Sequence, residues 1–139
     1  MPEGRTLVAG HATGEALVLD EPLSFWGGMD PVTGALTDSH HPQRGAILSG
    51  RVLVMPSGRG SSSSSYVLAE AIRAGTAPAA IVLREADGIV ALGAIVAREL
   101  YGATVPVLVA NADTYRTIAD GALVEVDARP DVATVRVPG

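Results

Sequence analysis

Residues 51–83 read RVLVMPSGRGSSSSSYVLAEAIRAGTAPAAIVL, and this stretch decides the fold class. It opens with Arg51 to Met55, a short β-branched apolar run bounded by Gly50 and Pro56, the pattern of a buried strand. It closes with a second such run, Ala79 to Leu83. Between them Val67, Leu68, Ala71 and Ile72 form one apolar stripe at helical spacing, and Gly75 sits where a helix would stop. Strand, helix, strand is the unit of an α/β sheet.

Working outward, Ile89 to Leu100 predicts a second helix, apolar nearly all round, with Gly102 just past it. Pro106 to Val109 reads as a third short strand, and Asp113 as the cap of a short helix over Thr114 to Ala119. Ala122 to Val126 and Ala133 to Val137 read as strands around the turn Arg129-Pro130-Asp131. Upstream, Arg5 to His11 and Ala16 to Leu19 read as strands separated by Thr13-Gly14. The stretch from Glu21 to Gly45 is rich in Gly and Pro and holds the only Phe and the only Trp. Within it Asp30-Pro31-Val32-Thr33-Gly34 is a turn signal whose flanks predict a hairpin. The whole order predicts one α/β domain over residues 1–139. A central sheet carries two main helices, and a β-rich part packs on the other side.

Composition narrows the chemistry. Apolar residues make up 47% and charged residues 18%, enough to bury a core and to exclude general disorder. With aromatics at 4%, Val, Leu, Ile and Ala must fill that core. Cys is absent, which excludes a thiolate nucleophile, a disulfide framework and an iron–sulfur or Cys-type zinc site held by this chain alone. Lys is absent too, so a Walker-type loop, a Schiff base and a Lys base all fall. A net charge of −5 argues against nucleic acid. No segment has the pattern of a signal peptide or a membrane span, so a cytoplasmic location is expected.

Three segments carry candidate chemistry. Gly58-Arg59-Gly60-Ser61-Ser62-Ser63-Ser64-Ser65 joins a strand pattern directly to a helix pattern. That is the wrong place for a flexible linker between domains. Glycines permit close backbone approach, a helix start offers free N–H groups to anions, and Arg59 adds a planar fork suited to carboxylate. We read it as a site; the competing reading is a plain N-cap with a short linker. The aromatic pair Phe25-Trp26, beside Gly27-Gly28, can cover a ligand or pack on a partner; the competing reading is a local core that pins the long loop. His40 and His41 are adjacent, so they do not face one metal together, and one of them is expected to meet substrate, partner or solvent. Asp38, Glu85 and Asp87 read as solvated turn residues, and Tyr101 and Tyr115 as packing residues.

As a set these residues resemble the aconitase X family, specifically its small subunit or swivel domain, also called the DUF126 family. The resemblance rests on Gly14-Glu15-Ala16, on Pro22 through Pro31 and on Gly50 through Val54. Gly58-Arg59-Gly60-Ser61, Ser65-Tyr66-Val67, Ala77 through Ile81 and Ala91 through Ile95 complete it. The resemblance implies a swivelling β/β/α three-layer domain, the small part of a two-part hydro-lyase that closes over a large subunit carrying an iron–sulfur cluster. It implies Ser61 as proton acceptor, with Ser65 as its rival one helical turn on. Arg59, Gly60 and Ser62 would bind a small-molecule carboxylate substrate, and Phe25, Trp26, His40 and His41 would face partner or substrate. This chain would itself hold no cofactor or metal. Trp26, His40-His41-Pro42 and the serine run look most like the bacterial type, which dehydrates cis-3-hydroxy-L-proline. The archaeal type, a phosphomevalonate dehydratase, is the alternative. A non-catalytic swivel or assembly module is the alternative of another class, since fold alone does not set function.

Overall fold

Val52, Leu53, Val54 and Met55 are all fully buried, because the strand they form, β3 (Val52–Met55), has no solvent face. A computed structural model of the chain describes residues 3–59 and 63–137. In chain order the other elements are β1 (Glu3–Val8), β2 (Gly10–Val18), the irregular turn α1 (Phe25–Gly28), α2 (Ser63–Ala74) and β4 (Ala80–Leu83). They continue with α3 (Gly88–Tyr101), β5 (Val107–Ala110), α4 (Ala112–Thr117), β6 (Leu123–Ala128) and β7 (Ala133–Arg136).

Strands β2, β3, β4 and β5 run parallel, with Val54 paired to Val18 on one side and Val82 on the other. Their side chains alternate between two cores, as period-two geometry requires. Val52, Val54, Ala80, Val82, Leu108 and Ala110 point one way, and meet Ala16, Val124, Val126, Ala128, Ala133 and Val135 from the neighbouring strands. Leu53, Met55, Ile81, Leu83 and Val107 point the other way, toward the helices. The first set is dominated by Ala and Val because it fills the narrow inside of a closed sheet.

Closure corrects the layered expectation. β1 pairs antiparallel with β5 on one side and with β7 on the other. The strand order β1-β5-β4-β3-β2-β6-β7 therefore returns on itself as a seven-stranded barrel. The class is mixed α/β, but the separate β-rich layer anticipated opposite the sheet is the far wall of the same barrel.

Helices α2 and α3 lie side by side on the outer face of the parallel strands, where Leu68, Ala71 and Ile72 meet Val90, Ala94 and Ala97. Gly93 sets their spacing. A Cβ there would lie 2.9 Å from the Ser65 carbonyl oxygen and 3.1 Å from the Leu68 side chain. Asp87 caps α3 by accepting from the Ile89 and Val90 amides at 2.9 and 3.1 Å, and Gly102 ends it with φ of 68°.

Two boundaries differ from the sequence reading. The break between the first strands falls at Ala9, and Thr13-Gly14 lies inside β2, paired with Glu125 and Val124 of β6. Gly14 marks a close backbone approach rather than a turn: a Cβ there would sit 2.7 Å from the Gly50 carbonyl oxygen. The cap of α4 is Asn111, whose side-chain oxygen accepts from the Thr114 amide at 2.8 Å. Asp113 instead lies in the exposed first turn, paired with Arg116.

The long connection between β2 and β3 is packed rather than loose, because Leu23, Phe25, Met29, Leu36 and Leu48 are all buried in it. The turn at Asp30–Gly34 closes the expected hairpin in minimal form. Met29 bridges Leu36, and the Asp30 amide donates to the Ala35 carbonyl at 2.9 Å. Among the described residues no helix is long and apolar enough to cross a membrane.

Candidate functional site at the carboxyl edge of the parallel strands

Four parallel strands deliver their exits to one edge of the barrel, where open α/β folds collect ligands. The exit of β3 is tied to that of β4, since the Pro56 carbonyl accepts from the Arg84 and Glu85 amides at 3.1 and 3.0 Å. Gly58 then runs against the cap of α3: a Cβ there would meet Asp87 Oδ2 at 2.6 Å. It also bridges Leu23, and the Arg59 amide donates to the Leu23 carbonyl at 3.0 Å. The backbone entering Arg59, from Gly58 to the Arg59 amide, is thus set by Leu23. Its guanidinium is exposed and lies 3.9 Å from the Glu21 carboxylate, a solvated pair that a bound anion can displace. Gly60, Ser61 and Ser62, expected as substrate contacts and proton acceptor, lie outside the described residues.

At the start of α2, Ser63 is exposed, whereas Ser64 and Ser65 are buried at 3% and 6% exposure. Ser64 Oγ lies 3.1 Å from Ser24 Oγ and 3.4 Å from the Trp26 amide nitrogen. Ser24 Oγ is in turn 3.0 Å from the Trp26 carbonyl. A carbonyl only accepts and an amide only donates, so the proton order is fixed. Ser24 donates to the Trp26 carbonyl, Ser64 donates to Ser24, and the Trp26 amide donates to Ser64. This network clamps the aromatic turn to the first turn of α2. Ser65, the rival base, is buried, and its backbone carbonyl lies at the α2–α3 crossing beside Gly93.

The other expected residues divide. Phe25 is 1% exposed and belongs to the core under the helices, so burial leaves it no partner-facing surface. Trp26, its neighbour, is 64% exposed, and Tyr66 of α2 is likewise on the surface. His40 is exposed, with its amide bonded to the Asp38 carboxylate at 2.9 Å. His41 is buried. Its Nδ1 accepts from the Gln43 amide at 3.1 Å, so in the neutral ring Nε2 carries the hydrogen and donates to the Glu21 carbonyl at 3.2 Å. Gln43 continues the latch through the Asp20 amide, at 2.9 Å, and the Val18 carbonyl. His41 therefore holds the segment that holds Arg59. Asp87 is a cap, and Glu85 is exposed.

Tyr101 lies on the surface at the end of α3, not in the packing expected of it. Tyr115 does pack against the barrel interior, and burial, with Asp20 as a lesser influence, holds its phenol above the usual tyrosine range. Among the described residues no group of three or more metal-ligating side chains comes together.

Sequence reasoning assigned no individual role to Ser24, Glu21 or Gln43, and marked Ser64 only as part of the serine run. Ser24 stands two residues before Trp26, and that spacing suits a side-chain bond back to the chain. Nothing in five consecutive serines distinguishes the inward Ser64 from its neighbours.

Fold and site together define an α/β barrel module that presents an arginine, an exposed aromatic turn and a serine-rich helix start on one edge. The chain belongs to the family described as the aconitase X swivel domain, whose model matches residues 1–136. It is 57% identical over 103 residues to a cis-3-hydroxy-L-proline dehydratase of Pseudomonas aeruginosa, covering 74% of this chain and 18% of that protein. The chain thus spans about a fifth of the length of that relative. It is 48% identical over 95 residues to the phosphomevalonate dehydratase small subunit of Thermococcus onnurineus, covering 68% of this chain and 73% of that one. The crystal structure of Thermococcus kodakaraensis aconitase X in its holo form superposes with a TM-score of 0.83 at 37% identity, over 97% of each chain.

Proposed function

We propose that this chain is the small subunit of a two-part hydro-lyase that removes water from cis-3-hydroxy-L-proline, with Ser61 accepting the α-proton. The observation that carries the reading is the 57% identity to the hydroxyproline enzyme, against 48% for the phosphomevalonate subunit. The site is consistent with it. Arg59 pairs only loosely with Glu21 and can turn to the substrate carboxylate, while the positive dipole end at the start of α2 favours the negative charge of a deprotonating serine. Trp26 presents an apolar face beside them for the large subunit or the pyrrolidine ring. In this reading the iron–sulfur cluster belongs to the large subunit. This chain has no thiolate to bind one, and no step of its own chemistry runs through it.

A second reading, the small subunit of a phosphomevalonate dehydratase, is supported by the 48% identity to such a subunit, 73% of which the match covers. Co-expression with a large aconitase X-type subunit separates the two. Consumption of cis-3-hydroxy-L-proline, with phosphomevalonate left untouched, is the expected result. The reverse preference transfers the chain to the second reading. A tight pair that consumes neither makes it a non-catalytic assembly module.

A further inference from the structure

All the side-chain cations of this chain other than histidine are arginines, and most are already matched. Arg59, Arg73, Arg98, Arg116, Arg129 and Arg136 each lie within reach of a carboxylate. Arg51 is half-buried and donates to the Ala16 carbonyl. Arg5, Arg44 and Arg84 have no carboxylate partner among the described residues, although the chain carries 15 acidic residues, and of the three Arg5 and Arg84 stand together. Yet both line one open cavity of about 320 Å³, with Gly4, Val109, Ala110 and Asn111.

Each wall of that cavity has a reason. The register of β1 on β5 sets Arg5 beside Val109 and Gly4 beside Ala110. Gly4 leaves the floor as bare backbone, since a Cβ there would lie 2.3 Å from the Val109 carbonyl oxygen. Arg84 leaves the end of β4, and one guanidinium N–H reaches the Ala110 carbonyl at 3.4 Å, which aims the group across the exit of β5 and leaves its other donors unused. Asn111, also in the lining, spends its side-chain oxygen on the Thr114 amide, so the group it has left to offer a ligand is its NH₂ donor. Apart from the Arg84 bond to Ala110, these donors line one cavity, and its two guanidiniums have no carboxylate partner among the described residues. An anion supplies both an acceptor and a counter-charge.

We propose that Arg5, Arg84 and Asn111 form an oxyanion subsite, separate from the serine loop, that takes the phosphate or carboxylate group of a small metabolite. Its position at the exits of β4 and β5 puts it on the same edge as the serine loop, and its volume reaches the lower end of small-ligand pockets, about 300 Å³. The assignment does not depend on the dehydratase reading.

The test is a titration of the 139-residue chain, followed by amide NMR shifts, with inorganic phosphate and separately with succinate. Sodium chloride at matched ionic strength is the control. Saturable shifts centred on residues 4–5, 84–85 and 110–112 are expected, and the tighter of the two probes tells phosphate from carboxylate. Arg84→Gln and Arg5→Gln should each weaken binding at least tenfold, while Arg84→Lys retains part of it. Both arginines are exposed, so the variants should keep dispersed spectra; if one does not fold, the other decides. Shifts no larger than those of chloride, or saturable shifts unchanged in the folded variants, overturn the subsite. So do shifts centred on the start of α2.

Discussion

Replacing Gly93 by alanine tests whether the site edge depends on the close crossing of α2 and α3. The new Cβ would lie 2.9 Å from the Ser65 carbonyl oxygen and 3.1 Å from Leu68 Cβ and Cδ2. The first neighbour is backbone, so it yields only if α2 moves. Overpacking of this kind costs roughly 1–3 kcal/mol. Alanine recovers about 1 kcal/mol of helix propensity over glycine, which leaves a net loss of up to about 2 kcal/mol. For a chain of this size that is a fall in Tm of up to roughly 8 °C. Gly88, at the start of the same helix, has nothing within 4 Å of its added Cβ. Gly88→Ala should therefore be neutral or stabilising. Thermal unfolding of the two variants beside the parent, followed by far-ultraviolet circular dichroism, reads the difference. Because Ser65 lies in the first turn of α2, Gly93→Ala should also lower kcat in the assembled enzyme. A Gly93→Ala chain as stable as Gly88→Ala would refute the crossing.

Further outcomes follow from the same contacts. Ser64→Ala removes the donor to Ser24 and the acceptor of the Trp26 amide, so it should cost about 1–2 kcal/mol in a denaturant titration. Trp26 is the only tryptophan and is largely exposed, so its emission should move to shorter wavelength and resist iodide quenching when the large subunit binds. Trp26→Ala should weaken assembly or raise KM without lowering Tm; a chain that unfolds instead makes Trp26 a core residue. Tyr115 keeps its proton to higher pH in the folded chain than in the unfolded one, so the unfolded state releases protons first and stability falls as pH rises above about 10. Urea midpoints on either side of that pH should fall less for Tyr115→Phe than for the parent; equal falls would remove Tyr115 as the cause.

How much of this was legible in the sequence follows from the range of each signal. The strand–helix–strand core over residues 51–83 was readable because strands buried on both faces leave uninterrupted Val, Leu and Ile runs. Closure of the barrel was not, because it rests on β1 meeting β7 across nearly the whole chain, and no local pattern records that pairing. Thr13-Gly14 misled for a related reason: a glycine required by the distant Gly50 carbonyl looks locally like one required by a turn. At the site, the Gly58–Ser65 stretch was legible as the join between β3 and α2. The partition within each pair was not. Phe25 and His41 turn inward while Trp26 and His40 turn outward, and neighbouring residues of like chemistry give a one-dimensional reading nothing to separate them.

The proposed transfer of the substrate proton to a serine of the 58–65 loop is tested most directly by Ser61→Ala in the complex with the large subunit, with Ser65→Ala beside it. The account predicts that Ser61→Ala lowers kcat for cis-3-hydroxy-L-proline at least about a hundredfold, the low end for a lost general base, with KM and assembly little changed. Ser65, buried at the α2–α3 crossing, should affect stability more than turnover. Turnover within a few-fold of the parent in Ser61→Ala would contradict it and give the base to the large subunit. Loss of activity in Ser65→Ala alone would move the base by one helical turn.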